Sequence, residues 1–101
     1  MPDHPLATKR KLDPDFMKHI DNTDALVYAD GALPRRFKLL IAMAFDAAHG
    51  ASSGVQALAR AAMKEGATSE EIAEALRVAY HLAGVGALYT GSIGLSDLFA
   101  Q

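Results

Sequence analysis

Four side chains in the middle of this 101-residue chain are of the kinds that move protons or grip an acid: Asp46, His49, Arg60 and His81. An imidazole titrates near neutrality, so His49 and His81 are candidates for general acid and base work. His49 also falls at the end of a predicted helix, where a histidine interacts favourably with the negative end of the helix dipole. Asp46 is the first charge after an apolar run. A lone buried carboxylate is costly, so it is expected either to pair, with Arg60 as partner, or to face a pocket. Arg60 would then be the clamp for a substrate carboxylate. Tyr80 and Tyr89 are further candidates for substrate contact, with Tyr80 expected on the buried side of its helix.

Other chemistries have less support. The chain has no cysteine, which removes thiolate nucleophiles, disulfides and Cys-ligated metals together. His4, His19, His49 and His81 form no i, i+4 pair, so no metal site is expected. Ser52 and Ser53 lie in no nucleophile elbow. Gly84-Val85-Gly86 follows no strand, so it is no nucleotide loop, and no cofactor is expected.

The elements that must hold these groups are helices. Asp13-Pro14 reads as N-cap and first residue of a helix with Phe16, Ile20, Leu26 and Tyr28 on its apolar side. A second helix is predicted from Pro34 to Ala48. Its centre, residues 39–45, is apolar all the way round and calls for burial on every side. A third starts near Ser52 with a stripe of Val55, Leu58, Ala59, Ala62 and Met63 and stops at Gly66. Thr68 and Glu71 form a capping box for a fourth, whose buried stripe is Ile72, Ala75, Leu76, Ala79 and Ala83. A fifth is predicted from Ala87 to Phe99, with small residues spaced for close approach. Residues 1–12 are read as a flexible arm and residues 13–101 as a single domain.

Composition bounds the partners. Half of the residues are apolar, more than one small core needs, which points to a subunit interface. A net charge of −2 excludes a nucleic-acid footprint, and Arg10-Lys11 and Arg35-Arg36 read as solvated or paired. The uncharged stretch between Arg77 and Asp97 is diluted by four glycines and by His81, Thr90, Ser92 and Ser96, so no membrane span is expected. With no apolar segment in the first 20 residues, a cytoplasmic location is expected.

Gly66-Ala67-Thr68-Ser69-Glu70-Glu71-Ile72-Ala73-Glu74-Ala75-Leu76, preceded by Leu33-Pro34 and Leu40-Ile41-Ala42-Met43-Ala44, resembles the carboxymuconolactone decarboxylase and AhpD-like family. The resemblance spans about residues 31–99. It implies an all-α orthogonal bundle of five to six helices, assembled as a trimer, or as a hexamer built from dimers or trimers. In the family's peroxidase-type members a glutamate, a Cys-x-x-Cys pair and a histidine form a thiol relay. Their positions here are Leu39, Ala51, Gly54 and Leu58, so thiol peroxidase and disulfide reductase activity are excluded. Two functions stay open. One is a cysteine-independent, lyase-like enzyme acting on a small organic acid near His49, Asp46, Arg60 and His81. The other is a non-catalytic oligomer that binds a ligand or serves as an accessory protein. Polar groups converging in one enclosed pocket would favour the first.

Overall fold

Six helices make up the chain in the computed structural model, which describes residues 6–99. They are α1 (Ala7–Leu12), α2 (Pro14–Val27), α3 (Arg35–Ala48), α4 (Ser52–Lys64), α5 (Ser69–Ala83) and α6 (Gly86–Leu95). No strand occurs among the described residues. His4 lies outside them, as do residues 1–5 of the expected arm. Residues 7–12 of that arm form α1, which meets α2 through the bidentate pair of Arg10 with Asp21, at 2.7 and 2.9 Å.

The helix starts follow the local sequence where side chains allow. Asp13 caps α2 through the Phe16 amide, with Pro14 in the first helical position. Asp30 accepts a 2.7 Å bond from the Arg35 amide and so satisfies the start of α3. The end of α2 is satisfied from α3: Lys38 Nζ donates to the carbonyls of Val27 and Ala29, and Arg35 donates to that of Tyr28. These two cations satisfy three carbonyls where α2 turns into α3.

Two glycines make the next two corners. Gly50 (φ +79°) follows α3 and Gly66 (φ +97°) follows α4. At each, the two residues after the cap donate back into the helix: Ala51 to Asp46 and Gly50 to Ala47, then Ala67 to Ala62 and Gly66 to Met63. This is the Schellman arrangement, which needs a left-handed residue that only glycine supplies without strain. Thr68 then starts α5 with the predicted capping box, its hydroxyl bonded to the Glu71 amide and the Glu71 carboxylate to the Thr68 amide.

The core lies among α3, α4, α5 and α6, with Met43, Val55 and Ile72 as its largest fully enclosed side chains. Each contributes roughly 1.5–3 kcal/mol through removal from water. Helix α6 comes close because it is small on its inner side. A Cβ on Gly94 would sit 2.5 Å from the Ser52 carbonyl oxygen, and one on Gly91 would sit 2.8 Å from Leu76.

The apolar side of α2 is a correction. Met17 is its one buried residue, while Phe16 and Leu26 stand exposed, because α1 and α2 pack chiefly on each other. Tyr80 is also a correction: it is about half exposed rather than part of the buried stripe of α5. The run at 39–45 is split. Leu39, Leu40 and Met43 enter the core, and Ile41 and Phe45 stay on the surface.

Candidate functional site

The degenerate relay positions divide between core and corner. Leu39 is buried in the centre of α3 and Leu58 packs against the same core from α4. Two positions that carry a proton relay in redox relatives thus hold the bundle together here. Ala51 is the N-cap residue of α4, and Gly54 lies in that helix's first turn.

Helix α4 has no side-chain cap of its own. Asp46 compensates from the preceding helix. Its carboxylate lies on the Cα of Gly54, in the space where a Cβ would be, so that any Cβ there would overlap it. A carboxylate against the first turn of a helix is stabilised by the positive end of the dipole, by roughly 0.3–1 kcal/mol. The expected pair with Arg60 does not form. Arg60 is exposed and bridges to no acid among the described residues, and the Asp46 carboxylate makes no hydrogen bond or ion pair among them. The negative charge of Asp46 reaches Tyr28 instead. The phenol of Tyr28 is pushed above its ordinary range, first by partial burial, then by Asp24 and Asp46, with Arg35 opposing.

An almost wholly apolar recess lies elsewhere on α3. A groove of about 460 Å³ runs between α3 and α5. Phe37, Leu40, Ile41, Ala44, Phe45 and Ala48 form one wall, and Ala75, Val78, Ala79, Leu82 and Ala83 the other. His49 stands at the end of the α3 wall and is the one titratable side chain lining the groove. Its ring stacks on Phe45, with centroids 6.4 Å apart, and Nδ1 lies 2.8 Å from the Phe45 carbonyl oxygen. Donation from Nδ1 to that carbonyl fixes the ring and leaves Nε2 as the nitrogen for a ligand. His49 thus stands at the end of α3, where the sequence placed it, and also lines the groove.

The other sequence candidates lie apart from this groove. Asp46 sits on the α4 side of α3, Arg60 is on the surface of α4, and His81, Tyr80 and Tyr89 are exposed and line no part of the groove. The expected convergence of His49, Asp46, Arg60 and His81 in one pocket does not occur within a single chain. Sequence reasoning missed Ile41, Phe45, Val78 and Leu82 as site residues. Their signal was position on the flanks of two helices, and only packing shows that the flanks face each other. No group of three His, Asp or Glu side chains that could hold a metal ion occurs among the described residues.

Two helical hairpins closed by glycine corners, with a relay reduced to Leu39, Ala51, Gly54 and Leu58, define an all-α protein without thiol chemistry. The profile of the carboxymuconolactone decarboxylase family matches residues 14–91. The chain belongs to that family. Among solved structures it is similar to the apo form of a carboxymuconolactone decarboxylase family protein from Legionella pneumophila. The two are 30% identical with a TM-score of 0.85, over 95% of this chain and 88% of the other. No curated protein matches the chain. No helix among the described residues is long and apolar enough to cross a membrane.

Proposed function

We propose that this chain is a cysteine-independent, homo-oligomeric, cytoplasmic member of its family that binds a small organic acid in the α3–α5 groove. The apolar body of the ligand lies between Ile41, Phe45, Val78 and Leu82, and its acidic group meets Nε2 of His49. One observation carries this reading: eleven of the twelve groove-lining residues are apolar and the twelfth is a positioned histidine. The volume falls within the range of small-molecule sites, which pair apolar walls with a few fixed polar groups.

The same lining favours binding over catalysis. Lyase chemistry needs one group to take a proton and another to hold the developing charge. Only His49 faces the groove, so a second group would have to come from another copy of the chain.

Anilinonaphthalene sulfonate, an aromatic body with one anionic group, is a direct probe. Titration is expected to show a saturable fluorescence rise that Ala44→Glu abolishes and His49→Ala weakens several-fold. Unchanged binding in Ala44→Glu would remove the groove as the site. Sedimentation of the wild type at 10.7 kDa would remove the oligomer.

A further inference from the structure

We infer that the ligand of this site is a long α,ω-dicarboxylate, held at one end by His49 and at the other by Lys38. The inference rests on the reading of the α3–α5 groove as an acid-binding site and names the class of acid that it takes.

The hollow beside α3 does not end with the groove. Ile41 and Phe45 also line a second recess, of about 350 Å³, between α3 and the end of α2. Val27, Tyr28, Lys38 and Ala42 complete it. The two hollows therefore meet at Ile41 and Phe45. Lys38 stands at one end of the combined path and His49 at the other. Eleven residues at 3.6 per turn make about three turns, so both lie on one side of α3, roughly 16 Å apart along its axis. Ile41 and Phe45 occupy that same side between them and are exposed.

Lys38 is a fixed cation with a donor to spare. Its ammonium donates to the Val27 carbonyl at 3.0 Å and to the Ala29 carbonyl at 2.7 Å. These bonds hold it in place and leave one of its three N–H groups for a ligand. No acid pairs with it among the described residues, whereas Arg35 and Arg36 are matched by Glu65 and Glu71. Tyr28 adds no negative charge to the recess. Partial burial, then Asp24 and Asp46, push its phenol above the ordinary range, so it stays neutral.

Length and charge select the ligand. A short diacid anchored on His49 would lay its second carboxylate on Ile41 and Phe45, and an unpaired charge against apolar walls is costly. A fatty acid would set its tail against the Lys38 ammonium and leave that donor unmet. An extended dodecanedioate puts methylenes over Ile41 and Phe45 and a carboxylate at each end. At Lys38 that carboxylate gains a charge-assisted hydrogen bond.

Calorimetric titration of the full chain with dodecanedioate, its monomethyl ester and heptanedioate tests this. The ester has the same length as the diacid and one charge fewer. Dodecanedioate is expected to bind about ten-fold more tightly than the ester, and more tightly still than heptanedioate. Lys38→Gln keeps an amide to donate to the α2 carbonyls and removes the charge. In that variant, checked for folding by circular dichroism, diacid and ester are expected to bind alike. An ester that matches the diacid on the wild type, or an advantage of the diacid that survives Lys38→Gln, would overturn the role of Lys38 and keep the groove. Heptanedioate matching dodecanedioate would overturn the spanning ligand. The comparison of the three ligands on the wild type decides this even if Lys38→Gln does not fold. No binding by any of them, with anilinonaphthalene sulfonate still saturating the groove, would overturn the long diacid alone. Failure of all four would overturn the groove with it.

Discussion

The two corners of the bundle, after α3 and after α4, share one backbone design and differ in what starts the next helix. Both stop a helix with a left-handed glycine and the same pair of reversed hydrogen bonds. At the α4–α5 corner, Thr68 and Glu71 cap α5 from within its own first turn. Arg36 from α3 reaches Glu71 at 4.0 Å, and Arg35 reaches Glu65 at 3.8 Å. Such exposed pairs add at most about 1 kcal/mol each. At the α3–α4 corner no local cap exists, and Asp46 leans across from α3 onto a glycine. One corner is thus specified by adjacent residues and the other by residues eight apart on different helices. The second corner is also where redox relatives keep their thiols. Its structure here depends on small residues and one acid, so restoring thiols would mean rebuilding the packing as well as the chemistry.

The largest effect should come from the contact that holds α4 in place in the absence of a cap. Gly94→Val drives a side chain into the Ser52 carbonyl and Val55, backbone and packed core that cannot move aside. Overpacking of this kind costs about 3 kcal/mol. In a chain of this size, thermal denaturation should fall by roughly 10–20 °C. A melting temperature within a few degrees of wild type would show that α6 does not anchor this corner.

A cycle on Asp46 and Gly54 should change sign. Gly54→Ala alone forces the carboxylate off its seat and is expected to destabilise by about 1 kcal/mol. In an Asp46→Ala background the same change should stabilise by up to about 1 kcal/mol, because alanine is the better helix former. Urea denaturation of the four proteins measures the coupling. Additive effects would mean that the two residues do not share the space.

The caps themselves should differ more modestly. Thr68→Ala removes a local N-cap and should cost about 1 kcal/mol. Asp46→Ala, which removes only a charge near a helix start, should cost about 0.3–1 kcal/mol and become smaller in high salt. A salt-insensitive loss at Asp46 would place its role in packing rather than in the dipole.

The smallest effect is expected at acid pH. The Ser69 hydroxyl, bonded to Glu70 at 2.8 Å, holds the Glu70 carboxyl below its ordinary range. A carboxyl lowered on folding stabilises the native state above its unfolded value, and that contribution is lost as pH falls through its folded value. Ser69→Ala should therefore be slightly less stable than wild type at neutral pH and converge with it as the pH falls through the folded value of this carboxyl. Parallel melting curves from pH 6 to pH 3 check this.

Much of this fold can be read one helix at a time. Asp13-Pro14, Gly50, Gly66 and the Thr68–Glu71 box act within a few residues of themselves, so local sequence is enough to place their helix ends. The absence of cysteine, with leucine at positions 39 and 58, likewise excludes the thiol relay without any coordinates. The apolar sides of α2 and α5 were harder to read, since periodicity shows that a side is apolar but not whether anything covers it. Phe16, Leu26 and Tyr80 stand exposed because no helix packs over them; Phe16 carries only the Lys9 ammonium, 5.3 Å from its ring centroid.

Tertiary structure alone decided the site. Whether Ile41 and Phe45 face Val78 and Leu82 depends on how α3 and α5 pack, and those pairs are separated by more than thirty residues. The same holds for Asp46, which sequence pairs with Arg60 by charge, while the fold seats it on Gly54 because that residue has no side chain. Helix ends are settled by hydrogen bonds a few residues long, so the sequence by itself determines them. A groove or a borrowed cap is settled by which helix surfaces meet, and only the packed bundle determines that.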